Sequence, residues 1–353
     1  MATMMNTSIV SAQKPDVRSL STHVQTEFVS SRNAATEYLK TLGTEVSRKA
    51  VRARLNRIAR WFHYDDAEHC DWQLMRYEHV ADFVEYLKTY DGAPATHQKK
   101  EKGLTPSAIN TYIYAIKAVF KKAWELGQVS DHELMRIRSF KVIRNYEIPT
   151  GRAMNRSETR ALLDSCDDDA PQDIRDRAIL MLMIGNGIRR AEVTAILMKN
   201  INIEAGEIKL IGKGRKERMV FMTPRVLAAV KNWLHTRQSL PVKERSDDTE
   251  DANYLFCRFT RHHKSIVTSK PLDPTSVWRI LNDHKDEVKD ELPSVTDLSC
   301  HDCRRTFATG LFDNGVDISV IRNLMGHSNI ATTAKYDKRG TNAMRRAMGT
   351  VEI

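Results

Sequence analysis

Between His301 and Tyr336 the chain reads His301-Asp302-Cys303-Arg304-Arg305-Thr306, then Leu324-Met325-Gly326-His327, then Thr332-Thr333-Ala334-Lys335-Tyr336. Imidazoles carry protons near neutral pH, a guanidinium clamps an anion, and a phenol is an oxygen nucleophile once its proton is removed. The apolar set Phe307, Ala308, Leu311 and Phe312, with a stop at Asn314-Gly315, predicts a helix over 301–314. His301 and Arg304 then share one face. Asp317 is expected to cap a second short helix that Gly326 ends, and Ser328 to cap a third that delivers the Tyr336 hydroxyl to the same pocket. Two imidazoles, a guanidinium and a phenol would converge there.

Any one of these residues is commonly structural, since a tyrosine on a helix usually packs and a histidine near a helix end often caps. Their order and spacing together resemble the boxes of the tyrosine recombinase (phage integrase) family, which run H-x-x-R, then L-x-G-H, then the tyrosine. Upstream, Gly187-Ile188-Arg189-Arg190-Ala191-Glu192-Val193 resembles the family's G-L-R-x-x-E-L box, with isoleucine and valine as mild departures. That register assigns the first catalytic arginine to Arg189 rather than Arg190. Residues 207–222 alternate as a hairpin, with Ile208 and Leu210 on one strand and Met219 and Phe221 on the other. The turn, Gly212-Lys213-Gly214-Arg215, lacks the spacing and the following helix of a nucleotide-binding loop. It resembles the family's G-K-G-x-K-x-R, in which Lys213 matches a catalytic lysine. Inside the H-x-L-R-H box, Cys303 and Arg305 stand where leucine and histidine are usual, and neither position carries the chemistry.

Cleaving a phosphodiester with a phenol requires loss of the phenolic proton, neutralisation of charge on the phosphorane, and protonation of the departing alkoxide. The resemblance fills each role. Tyr336 attacks the scissile phosphate to give a 3′-phosphotyrosine, Arg189 and Arg304 hold the non-bridging oxygens, and His327 donates to the same phosphate. Lys213 protonates the 5′ oxygen, His301 accepts a proton, and Glu192 orients its neighbours. The implied reaction is conservative site-specific recombination with no ATP, metal or cofactor. Its implied partners are double-stranded DNA bearing a specific recombination site and, on that DNA, a homotetramer. Two other readings use the same scaffold: a regulatory or accessory DNA-binding protein without strand exchange, which a complete catalytic set argues against, and relaxation of supercoils by the same nick-and-reseal chemistry. Cys300-His301-Asp302-Cys303, with Cys257 and His262-His263, offers soft ligands for zinc. A second C-x-x-C is absent, so no metal site is expected there.

The elements that must position these groups follow from length and pattern. A chain of 353 residues suffices for two domains. The net charge of +10 divides evenly between residues 1–150 and the remainder, so both halves suit a polyanion. Five scattered cysteines give no disulfide framework, and no run has a signal-peptide or membrane-spanning pattern, which fits a soluble cytoplasmic protein without a membrane role. The expected fold is mainly α (α+β): an N-terminal helical core-binding bundle, then a mostly helical catalytic domain with a small antiparallel β-sheet. Residues 1–25 are expected to be a disordered tail, 26–139 the DNA-binding bundle, 140–152 a basic linker, and 153–340 the catalytic domain. Residues 341–353, with Met344, Met348 and Val351 at helix-like spacing, are a candidate docking helix for a neighbouring protomer.

Within the bundle, helices are predicted over 31–42, 47–62, 76–89 and from Thr105-Pro106 to Gly127. The second carries Val51, Leu55, Ile58 and Phe62 inward and Arg52, Arg54, Arg57 and Arg60 outward. In the catalytic part, Asn155 or Ser157 caps a helix, Ala178–Ile184 is a buried helix, Val226–Leu234 is helical, and 239–253 is a polar surface loop. Asp273-Pro274 opens a helix carrying Val277, Trp278 and Leu281 inward.

Overall fold

The computed structural model describes residues 31–89, 103–144, 151–212, 217–243, 253–260, 265–337 and 340. The chain divides into two units, Met1–Ile148 and Pro149–Ile353, each considered by itself. Lys213, the turn around it, residues 1–25 and the segment 341–353 lie outside the described residues, as do residues 145–150 of the linker.

The first unit is helical where apolar residues recur at three- and four-residue spacing behind a polar cap. Its helices are α1 (Ala34–Lys40), α2 (Glu45–Trp61), α3 (Tyr77–Thr89), α4 (Pro106–Glu125) and α5 (Asp131–Ser139). Asn33, Thr44, Thr105 and Ser130 cap α1, α2, α4 and α5 through their side chains. Leu55, Ile58, Phe83, Ile109, Ile113, Ile116 and Phe120 form the centre of its core. The sequence pattern predicts four helices, and α5 is the addition. Only Leu134 and Ile137 of α5 are buried, too short a stripe to stand out against its charged residues. Trp124, near the end of α4, is 42% exposed.

The second unit is built on α7 (Pro171–Asn186), whose Ala178, Ile179, Leu180, Leu182 and Met183 are buried as an all-round apolar run requires. Around it lie α6 (Arg156–Asp164), α8 (Arg190–Thr194), α9 (Pro224–Ser239), α10 (Pro274–Val288), α11 (Cys300–Asp313), α12 (Ile318–Met325) and α13 (Ile330–Ala334). Asn155, not Ser157, caps α6, in a capping box with Glu158. A small antiparallel sheet runs β1 (Ile201–Asn202), β2 (Glu207–Ile211), β3 (Glu217–Phe221). A separate hairpin pairs β4 (Cys257–Phe259) with β5 (Ile266–Pro271). Helices with small antiparallel sheets make the fold mainly α with an α+β part.

Three local expectations are corrected. Ile208 pairs with Val220 and Leu210 with Arg218, so Val220 and Arg218 share the face of the buried β2 residues, while Met219 and Phe221 are 41% and 57% exposed. Period-two alternation gave the strand but not the face. Asn329, not Ser328, caps α13 by accepting from the Ala331 N–H. Trp278 is 49% exposed, whereas Val277 and Leu281 are buried. Among the described residues, no helix is long and apolar enough to cross a membrane.

Candidate active site

Four segments meet at one pocket. At the end of α7, Gly187 adopts the left-handed conformation at φ 61°, and a Cβ there would lie 2.5 Å from the Phe307 ring of α11. Only glycine allows the chain to turn this closely against α11. Ile188 is then buried, and Arg189 sits at the N-cap position of α8.

The start of α11 is tied down by Asp302. Its carboxylate accepts from the Ser299 N–H and hydroxyl at 2.8 and 2.7 Å, from Arg305 at 2.6 Å and from the Arg152 N–H at 2.9 Å. Burial raises the Asp302 pKa, but these donors outweigh it and the net shift is downward. One turn on, the Arg304 guanidinium is 2% exposed and donates to the carbonyls of Gly187 and Met325 and to His327 Nε2. Its Nε has no protein partner. Burial and the nearby Arg189 charge pull its pKa down to about 10, so it stays a cation.

Gly326 ends α12 at φ 63°, and His327 follows. An arginine can only donate, so its 2.8 Å contact makes His327 Nε2 the acceptor. His327 Nδ1 then donates to Thr333 Oγ1, 2.8 Å away. Burial and the Arg304 and Arg189 charges hold this imidazole down to about 4, neutral at physiological pH. After α13, the Tyr336 ring lies between the two histidines, with centroids 6.1 Å from His301 and 6.0 Å from His327. Its hydroxyl is 2.9 Å from His301 Nε2. Burial, then the Arg305 and Arg304 charges, lower the His301 pKa. A neutral His301 with its proton on Nδ1 leaves the Nε2 lone pair facing this hydroxyl, an arrangement in which the imidazole can accept the hydrogen bond.

Glu192 links this centre to the sheet. It accepts from the Arg189 N–H and guanidinium at 3.0 and 2.7 Å, and from both terminal nitrogens of Arg218 at 2.9 and 2.8 Å. Burial pushes the Glu192 carboxyl up, but the Arg218 pair and the Arg189 N–H dominate and hold it at about 2. The carboxylate therefore contributes stability that is present above the ordinary carboxylate value and lost as pH falls toward about 2. Thermal melts should show wild type more stable than Glu192→Gln at neutral pH, with the gap closing between about 4.5 and 2. A gap independent of pH would remove this linkage.

Arg189, Arg190, Trp278, Cys300, His301 and Arg304 line a cavity of about 380 Å³. Arg189 rather than Arg190 bonds Glu192, and the Arg189 charge is among those that lower the Arg304, His301 and His327 pKa values. Of the residues singled out in the sequence, Arg189, Glu192, His301, Arg304, His327 and Tyr336 are brought together; Lys213 lies outside the described residues. Cys303 is buried, Cys257 is buried in β4, and His262-His263 lie outside the described residues.

Arg218 and Thr333 are the site residues that sequence reasoning missed. Arg218 stands in the quoted G-K-G-x-K-x-R string, and its place in strand register with Leu210 was the available signal. Thr333 has none, because it meets His327 only once α13 folds back.

The fold is similar to that of the Tn1549 transposon integrase in complex with a circular intermediate DNA, at TM-score 0.65 and 17% identity over 91% of this chain and 100% of that one. A lambda integrase dimer bound to a core site is similar at TM-score 0.56 and 13% identity, covering 87% and 95%. Both likenesses are of fold. Residues 152–342 match the model of the Phage integrase family. Tyrosine recombinase XerC of Vibrio cholerae is 30% identical over 240 residues, covering 68% of this chain and 69% of that protein. Tyrosine recombinase XerA of Pyrococcus furiosus is 29% identical over 252 residues, covering 70% and 76%. The chain belongs to the phage integrase family, and it is an enzyme, a tyrosine recombinase.

Proposed function

We propose that this protein cleaves and rejoins duplex DNA at a specific site through a 3′-phosphotyrosine on Tyr336. One observation carries the reading: the Tyr336 hydroxyl sits 2.9 Å from an imidazole nitrogen, in a pocket that also holds the buried Arg304 cation. His301 Nε2 takes the phenolic proton as the oxygen attacks phosphorus. Arg304, through groups already aimed inward, and Arg189, held by Glu192, neutralise the charge growing on the non-bridging oxygens.

His327 accepts from Arg304 in the free enzyme. A bound phosphate adds negative charge and competes for Arg304, so the imidazole gains a proton and donates to the phosphate. Lys213 protonates the departing 5′ oxygen by resemblance. The phosphotyrosine conserves the phosphodiester's energy, and an incoming 5′ hydroxyl reverses the step; neither ATP nor a metal is needed for it. A complete set of these groups disfavours a purely accessory DNA-binding role.

The test uses a duplex selected by this protein from a randomised pool and nicked beside the cleavage point, so that the freed strand diffuses away. An SDS-resistant protein–DNA adduct should accumulate, and peptide mapping should place the nucleotide on Tyr336. Selected DNA that is bound but never linked would favour the accessory role.

We also propose that residues 26–139 form the DNA-binding bundle, 140–152 the linker and 153–340 the catalytic domain, and that four protomers act together on two sites. The outer face of α2, with Arg52 and Arg60 exposed, is the part of the first unit best suited to phosphates. The segment 341–353 has an apolar stripe and is proposed to dock on a neighbour. Deleting it should leave binding by one protomer within about threefold while lowering recombination at least about tenfold, an effect within the usual range of coupling energies. Sedimentation on DNA and a recombination assay measure the two; full activity with unchanged assembly would end the docking role.

A further inference from the structure

Where α6, α7 and α10 meet, at the opposite end of α7 from Gly187, lies a second cluster of ligating side chains. Asp173 and Asp176 stand one turn apart near the start of α7 and share a face. His284 comes from α10, and Cys166 from the turn after α6. The ligand atoms of Asp173, Asp176 and His284 lie within 4.8 Å of one another. His284 Nε2 is 4.0 Å from Asp176 Oδ2 and 3.6 Å from Cys166 Sγ. Asp176, His284 and Cys166 are buried, while Asp173 reaches the surface.

The orientation of His284 is an independent observation. Its Nδ1 faces Ser165 Oγ at 3.1 Å and the Glu287 carboxylate at 3.6 Å. Those acceptors retain the Nδ1 proton, which leaves the Nε2 lone pair directed toward Asp176 and Cys166. Histidines that bind metals are oriented in this way by an acceptor on the other ring nitrogen. Asp176 Oδ1 is taken by Arg175 at 2.7 Å, and Oδ2 faces the imidazole. Burial raises the Asp176 carboxyl despite Arg175, and pushes the Cys166 thiol up to about 12.

We propose that Asp173, Asp176 and His284 bind a divalent transition metal ion, zinc above all, and that Cys166, beside the His284 imidazole, closes on the ion as a fourth ligand. The donor set selects the class: an imidazole and a thiolate beside two carboxylates suit zinc or cobalt, whereas magnesium and calcium take oxygen ligands and keep more water. On binding, the metal–sulfur bond forms as the Cys166 thiol releases its proton to solvent. The ion would tie α6, α7 and α10 together. Because α7 runs from this cluster to Gly187 and Arg189, such a staple fixes the helix from which the first arginine is presented.

The full chain, stripped with EDTA and titrated with Zn²⁺ or Co²⁺, tests this. Stripping should lower Tm and stoichiometric Zn²⁺ should restore it. The Co²⁺ form should show a near-ultraviolet thiolate-to-cobalt band that Cys166→Ser abolishes. Asp173→Asn lies near the surface and is expected to fold while weakening Co²⁺ binding; Ser165→Ala should weaken it about tenfold by freeing the imidazole. Failure of the stripped wild type to bind either ion would overturn the site. So would binding that Asp173→Asn and His284→Gln leave unchanged, or a wild-type Co²⁺ spectrum without the thiolate band.

Discussion

Tyr336→Phe is expected to bind its DNA site as wild type does and to form no covalent adduct at all. Only one oxygen is removed, and the ring keeps its place between the imidazoles of His301 and His327. The hydrogen bond to His301 is lost, which costs about 1 kcal/mol of stability. That is too little to unfold a domain whose stability is typically about 5–15 kcal/mol. Gel shift and suicide-substrate trapping on one preparation separate binding from chemistry. A persisting SDS-resistant complex would move the nucleophile to another residue and take His301 out of its proposed role as acceptor.

Much of this site was legible because its residues fall in short local patterns. The helix over 301–314, the Asp317 cap and the Gly326 stop are each set by residues within a few positions, and α11 and α12 follow them. The buried helix α7 was equally plain, since an apolar run on all sides has few other places to go. What stayed hidden depends on contacts distant in sequence. Arg218 reaches Glu192 from 26 residues away, which depends on which face of β3 is buried. The alternation of Met219 and Phe221 pointed to the other face, and those side chains are exposed. Trp278 looked like part of a helix stripe beside Val277, yet it opens onto the cavity of Arg189 and Arg304. The bond from the Arg152 N–H to Asp302 and the pairing of His284 with Cys166 likewise join segments far apart in the chain and leave no local spacing to read.

The two arginines should respond differently to substitution, because one is built into the core and the other is not. Arg304 is 2% exposed and satisfies the carbonyls of Gly187 and Met325. Arg304→Ala would leave buried acceptors unpaired, at about 1–3 kcal/mol each, so stability and cleavage should fall together. Arg304→Lys keeps the charge but loses the planar fork that spans two carbonyls and an imidazole, so it should recover less than full cleavage. The Arg189 side chain is 41% exposed and bonds mainly Glu192, which Arg218 also holds. Arg189→Ala should therefore leave Tm within about a few degrees, in line with a surface substitution. Its cleavage rate should nonetheless drop about 10²–10³-fold, the usual loss when one preorganised donor to a developing negative charge is removed. Arg190→Ala is the internal control: Arg190 lines the same cavity, but Arg189 is the one that Glu192 holds. Melting curves and single-turnover cleavage of the three alanine variants decide the assignment. An inactive Arg190→Ala beside an active Arg189→Ala would shift the register of the first box by one residue and leave the Glu192 pair with a structural role only.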